Sequence, residues 1–200
     1  MSKTVSKFAL AVSLVLAMAL TFSCSSDDGD KDGGGSCNAD FGEVTIGTQT
    51  WAAKNLNCNV GGSKCYNNDP ANCAKYGRLY NWLTAMKSCP SGWHLPTQAE
   101  WNTLSSYVTS NGCSYCSAAY LQVTGFGFGT DDYSFSALPG GLGRPDGSFD
   151  YVRNDGYWWS ASEDDDDSNR AWRWHMSISE AAIWNSGNKS SLFSVRCLQD

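Results

Sequence analysis

The sequence predicts an α+β domain stapled by disulfides, with two helices, short antiparallel strands and a long loop-rich insertion. Three observations carry that expectation. Two stretches in the first half repeat apolar residues at helical spacing, glycines punctuate short aromatic segments in the second half, and nine cysteines follow or end an export-type leader. The 200-residue chain holds 14 Lys and Arg against 20 Asp and Glu, and 17% of its positions are charged against roughly 25% in an average soluble chain. The basic residues are scattered singly and the net charge is −6, so no nucleic-acid partner is expected. Nine Trp, nine Tyr and eight Phe supply ample surface for a core, which argues against a disordered chain.

Lys3 and Lys7 precede an uncharged run over residues 8–22 that is short for a mature membrane span, and residues 1–23 read as a signal peptide. The run ends Leu20-Thr21-Phe22-Ser23-Cys24, which resembles a bacterial lipobox. The resemblance implies that Cys24 is lipidated with palmitate-type chains, becomes the new N-terminus and anchors the protein in outer-membrane lipid. Residues 24–36 are acidic and glycine-rich, with no apolar side chain to bury beyond Cys24, and are expected to form a flexible tether. Ser25 after the cysteine resembles lipoproteins sorted to the outer membrane, and the acidic cluster resembles the surface-export signal of Bacteroidota-type lipoproteins. A lipid-anchored, surface-exposed location is therefore expected. Residues 37–200 remain for the folded unit, a size that one domain with a sizeable core accommodates.

Setting Cys24 aside leaves eight cysteines, which allow 105 pairings. Ranked by proximity and fold geometry, the expected bridges are Cys65 with Cys73, Cys89 with Cys197, Cys113 with Cys116, and Cys37 with Cys58. Zinc is not expected at Cys113-Ser114-Tyr115-Cys116, because His94 and His175 lack paired ligand spacing. Nor is a redox role, since Ser110-Asn111-Gly112 before it is turn chemistry.

Residues 44–51 alternate apolar and polar side chains around Gly47, the pattern of a short hairpin. From Tyr76 the spacing of Leu79, Trp82, Leu83 and Met86 predicts a first helix that Pro90 stops. Thr97 and Glu100 form a capping-box pattern ahead of Trp101, Leu104 and Val108, which predicts the second helix. Strands are expected over residues 157–161, 171–176, 181–184 and 194–198.

Landmarks in a fixed order run through the chain. They include Cys73-Ala74-Lys75-Tyr76-Gly77-Arg78-Leu79-Tyr80-Asn81-Trp82, Cys89-Pro90-Ser91-Gly92-Trp93-His94-Leu95-Pro96-Thr97, Leu138-Pro139-Gly140-Gly141, Tyr157-Trp158-Trp159-Ser160-Ala161-Ser162 and Ser194-Val195-Arg196-Cys197. Over about residues 41 to 198 this series resembles the Fibrobacter succinogenes major paralogous domain, or FISUMP. The family implies an exported, frequently lipidated surface protein of undefined biochemical role. Leu95-Pro96-Thr97 with Glu100-Trp101 and the late Val195-Arg196-Cys197 also resemble the C-type-lectin-like fold, including its formylglycine-generating-enzyme branch. The oxidase of that branch needs a copper-binding cysteine pair, and no cysteine lies between Trp158 and Arg196.

Arg144-Pro145-Asp146 and Trp184-Asn185-Ser186 echo only part of the lectin loops that hold a sugar-bridging calcium, so they are expected to be ordinary turns. Glu163, Asp164, Asp165, Asp166 and Asp167 pack five carboxylates into one loop and are the candidate calcium ligands. No other cofactor is expected. Trp159, Trp172, Trp174 and Trp184 are the candidate ligand-binding aromatics, since an exposed indole can stack on a sugar or anchor a protein. No Gly-x-Ser-x-Gly elbow accompanies the two histidines, no motif selects a carboxylate pair, and His94 is expected to be structural. The expectation is a non-catalytic binding module for a glycan or a surface protein, acting in recognition or adhesion. The alternatives are an enzyme on polysaccharide or protein and a purely structural envelope component.

Overall fold

A computed structural model of the protein describes residues 40–111, 117–177 and 183–200. The expected leader 1–23, the tether 24–36, and Cys24, Cys37, Cys113 and Cys116 lie outside these residues, and so do the two pairings that involve the last three.

Strands β1 (Glu43–Ile46) and β2 (Gln49–Ala52) form the expected hairpin, with Val44 opposite Trp51. Gly47 turns it at φ +63, and a Cβ there would meet the Tyr107 ring at 2.7 Å. Next come β3 (Ser63–Lys64), one tight helical turn (Tyr66–Asn68), α1 (Pro70–Tyr76), β4 (Leu79–Tyr80) and α2 (Trp82–Ala85). The expected helix from Tyr76 to the Pro90 stop is thus replaced by three elements. Gly77 ends α1 at φ +78, where a Cβ would lie 2.8 Å from the Leu56 carbonyl. Asn81 then starts α2 by accepting the Thr84 N–H at 2.9 Å. Between them Leu79 and Tyr80 pair as a strand, while Leu83 is left 69% exposed.

Strand β5 (Trp93–His94) leads into α3 (Gln98–Ser110), which carries the expected capping box and buries Trp101, Leu104 and Val108. Each of those side chains contributes about 2 kcal/mol or more on leaving water. Trp101 meets Trp51 at 4.7 Å and Trp174 at 4.5 Å. Then follow α4 (Ser117–Leu121), β6 (Leu142–Gly143), β7 (Phe149–Asp150), β8 (Asp155–Glu163), β9 (Arg170–Ser177), β10 (Ile183–Asn188), β11 (Phe193–Ser194) and β12 (Leu198–Gln199).

The α+β class holds, with four helices rather than two among the described residues. Two sheets carry it, ordered β1-β2-β12-β5 and β10-β9-β8-β11-β4-β3, beside the β6-β7 hairpin. The strand expected over 194–198 is split between them. Ser194 pairs with Leu79 and Trp158 in one sheet, and Leu198 pairs with Trp51 and His94 in the other.

Arg196 sits at that crossing and is 0% exposed. Its five N–H donors find five bonds: Nε and Nη2 to Asn55 Oδ1 at 3.1 and 2.9 Å, Nη1 to the Ala52 and Phe135 carbonyls at 3.0 and 2.6 Å, and Nη2 to the Ser136 carbonyl at 3.3 Å. Burial pushes its pKa down to about 9, partly offset by Asp131, so the group stays charged at neutral pH. Asp131 in turn braces Ser136, whose N–H and Oγ–H donate to it at 2.7 and 2.6 Å. Asn55 Oδ1 also accepts the Trp158 indole N–H at 2.8 Å.

Two expected disulfides are present, Cys65–Cys73 and Cys89–Cys197. The second spans 108 residues of sequence and by loop entropy contributes about 5 kcal/mol against about 2.5 for the first. Cys58 is also disulfide-bonded. His94, expected to be structural, bridges Asp200 (2.7 Å) and Glu100 (2.9 Å), the N3 residue of the capping box that starts α3. Partial burial opposes its charge, but the two carboxylates outweigh that and raise its pKa above the ordinary imidazole value. Burial likewise opposes the Glu100 carboxylate, and the Thr97 donors with His94 outweigh it and lower that pKa.

Asn55→Leu leaves two donors of a buried cation without a partner and should cost about 3 to 5 kcal/mol in urea unfolding with the disulfides intact. Asn55→Asp keeps the acceptor oxygens and should cost clearly less; equal losses would contradict the role given to Oδ1. The His94 pair contributes fully below the ordinary imidazole pKa of 6.5, loses its worth as pH rises through the raised folded value, and fades again as pH falls through the lowered Glu100 value. His94→Gln should therefore lower the melting temperature more at about pH 5.5 than at about pH 8.5.

Candidate functional site

The six-stranded sheet has two unlike faces because successive side chains of β9 alternate. Trp172, Trp174 and Met176 point one way, and Trp174 packs under α3 against Trp101. Ala171, Arg173 and His175 point the other way. Pairing places Trp159 and Asn185 opposite Arg173, and Tyr157 opposite His175.

On this second face Tyr157 carries a stack. His175 lies flat on its ring at 4.5 Å with 7° between planes. The Arg173 guanidinium lies 4.7 Å from the Tyr157 ring and 5.4 Å from the Phe193 ring. Gly187 makes this packing fit, since a Cβ there would meet Phe193 Cε2 at 2.7 Å and Arg173 Cδ at 3.3 Å. Burial pushes the Tyr157 phenol up, and its O–H donates to Asp155 at 3.0 Å, which adds to the shift. Burial pulls the Arg173 pKa down, while Tyr157 and the Asp155 carboxylate support its charge.

Above Arg173 and Phe193 opens a cleft of about 460 Å³ whose far wall is the loop between β6 and β7, with Arg144, Pro145 and Asp146. That loop is tied in place. Arg144 N–H donates to the Ser148 carbonyl at 2.8 Å, its guanidinium pairs with Asp150 at 2.8 Å, and Asp146 accepts Ser148 N–H and Oγ–H at 2.9 and 2.6 Å. Gly143 and Leu192 exchange backbone hydrogen bonds at 2.9 and 2.8 Å and hold the hairpin to the sheet side. A second depression of about 320 Å³ adjoins the first through Arg144 and Pro145, and is lined further by Lys64, Asn81, Leu83 and Lys189. Lys189 is paired with Glu163 at 2.6 Å and sits 4.4 Å over Trp82.

The expected site residues fare unequally. Trp159 is 0% exposed and donates its indole N–H to the Tyr80 carbonyl at 2.7 Å, and Trp174 is 1% exposed within the core, so neither can stack on a ligand. Both serve packing, because their side chains fill the interior on either side of the sheet. Trp172 and Trp184 are partly buried; Trp184 stacks 6.2 Å from Trp174 and bonds Asn102 at 2.7 Å.

The five acidic residues of the 163–167 loop do not converge on one point. Glu163 pairs with Lys189, Asp164 lies 3.8 Å from Arg170 and accepts the Asp166 N–H, and Asp167 accepts the Asn169 N–H. The Ser186 hydroxyl holds the Asp164 carboxyl below its ordinary range. Among the described residues no three His, Cys, Asp or Glu side chains group as metal ligands.

Of the two segments expected to be ordinary turns, Arg144-Pro145-Asp146 is one, whereas Trp184-Asn185-Ser186 lies within β10, paired along its length with β9. Arg144, Pro145 and Asp146 meet Ser186 across the same cleft. Sequence reasoning missed Arg173 and Phe193. The signal was the Trp172-Arg173-Trp174 alternation, which puts a cation on the face opposite two indoles, in the middle of a strand.

A family model described as the Fibrobacter succinogenes major domain matches residues 44–199. No curated protein and no solved structure matches.

Proposed function

The chain belongs to the Fibrobacter succinogenes major domain family, and from that premise we propose that it is a surface lipoprotein whose folded domain is a non-catalytic glycan-binding module. The observation that carries this reading is the cleft over Arg173 and Phe193. It is concave and of small-ligand size, and it joins an apolar floor to a few convergent polar groups on a braced hairpin loop. A flat protein interface would need some 800 Å² per partner, which suits this hollow less well than a short run of sugar hydroxyls.

The anchor belongs to the same proposal. Cys24, at the end of the apolar leader and ahead of an acidic tether, would hold the domain in the outer membrane facing outward. No helix among the described residues is long and apolar enough to cross a membrane. A C-type-lectin-like architecture is part of the proposal too. In its favour, the late strand β12 lies beside the early β2, and Cys89–Cys197 ties the segment before α3 to that strand.

The test is retention of the full chain on a panel of soluble and insoluble glycans, with calcium and with EDTA. Retention should survive EDTA and weaken about tenfold in Arg144→Ala, which removes one polar arm of the rim. Retention lost in EDTA would shift the site to the 163–167 loop. Retention on no glycan would sink the reading in favour of a protein partner, an enzyme or a structural component of the envelope.

A further inference from the structure

Arg173 is treated unlike its cationic neighbours at the cleft. Arg144 and Lys189 are paired with Asp150 and Glu163, and Arg170 has Asp164 and Ser186. Arg196, elsewhere in the fold, spends all five donors. Arg173 instead rests on aromatic rings, its Nη1 is buried beneath the cleft surface with no hydrogen-bond partner, and Asp155 acts on it only at long range. A partly desolvated guanidinium without a bonded carboxylate is costly unless something completes it. The chain, at a net charge of −6, keeps this cation where it lines the cleft.

Resting on the glycan reading above, we infer that the cleft recognises an acidic sugar, a hexuronate whose carboxylate pairs with Arg173 while its hydroxyls bond Asp146 and Ser191. The ring contacts hold the guanidinium at the cleft, where a carboxylate can meet it through a charge-assisted hydrogen bond. The rim supplies what the rest of such a ligand requires. Asp146 and Ser191 are acceptors for hydroxyl groups, and Phe193 and Leu142 give an apolar floor to the sugar C–H face. The site closes on a part of the ligand that neutral glycans lack.

The experiment compares binding of the full chain, disulfides intact, to polygalacturonate, to the same polymer fully methyl-esterified, to a neutral galactan and to a sulfated galactan. Polygalacturonate should bind at least about tenfold more tightly than its methyl ester, because esterification removes the charge and caps one carboxyl oxygen while leaving the ring hydroxyls in place. Arg173→Gln should remove that preference and Arg173→Lys restore part of it, in variants whose melting temperatures show that they fold. Should Arg173→Gln not fold, the methyl-ester comparison on the unaltered protein still decides. Equal binding of the acid and its ester, or an unchanged preference in folded Arg173→Gln, overturns the inference and leaves glycan binding standing. A sulfated galactan bound as tightly as polygalacturonate overturns the carboxylate assignment. Binding to none of the four polymers overturns the glycan reading with it.

Discussion

A charged guanidinium buried at the crossing of two sheets is the constraint from which the rest of the domain follows. Arg196 must have its five donors accepted or remain solvated, and four acceptor atoms on two separate stretches of chain, Ala52 with Asn55 and Phe135 with Ser136, take all five. Those stretches can therefore occupy only one arrangement. Asn55 extends the grip to β8 through Trp158 and to the end of α1 through the Tyr76 carbonyl, which accepts its Nδ2 at 2.9 Å. A hydrophobic residue at 196 would fill the space with less desolvation cost, but it would tie none of these backbones together. The aromatic layers of Trp51, Trp101, Phe135, Trp158 and Trp174 then close around a polar centre that has already set their positions.

The same crossing explains where the cleft sits. Residues 193–198 pass from one sheet to the other, so Phe193 is delivered beside Tyr157 on the Arg173 side of the six-stranded sheet while Leu198 enters the four-stranded sheet. Cys197 and Cys89 fasten the far side. Gly187 on the neighbouring edge leaves room for Arg173 to lie against Phe193. Two of the arginines that lie over aromatic rings are thus treated in opposite ways. Arg196, 4.4 Å from Phe135, is fully bonded and serves the fold, whereas Arg173 lines a surface hollow with its Nη1 unbonded.

Local signals made part of this legible beforehand. The hairpin at Gly47 and the capping box at Thr97 each rest on a few adjacent residues, and both formed as expected. Cys65 and Cys73 lie close in sequence, so their pairing needed little tertiary knowledge. The helix expected from Tyr76 failed for the opposite reason. Leu79 and Tyr80 answer to β11 and β3, partners 113 or more and 16 or so residues away, and the positive φ of Gly77 cuts the periodicity that Leu83 and Met86 only mimic. Buried polar placement was the least legible. Nothing adjacent to Arg196 announces the four acceptors that take its donors, and nothing adjacent to Arg173 announces that it lines a cleft. The four candidate tryptophans were judged by side-chain type, and burial decided against Trp159 and Trp174.

The central claim is that a rigid, internally satisfied arginine supports a cleft whose own arginine awaits an anion. Arginine side-chain NMR reads both groups at once, through their Nε–H resonances, during titration of the full chain with oligogalacturonate. The account predicts that Arg196 gives a slowly exchanging resonance that does not move, while Arg173 shifts and gains protection in proportion to bound ligand. An Arg173 resonance that stays fixed at saturation, or an Arg196 resonance that exchanges freely with solvent, would contradict it.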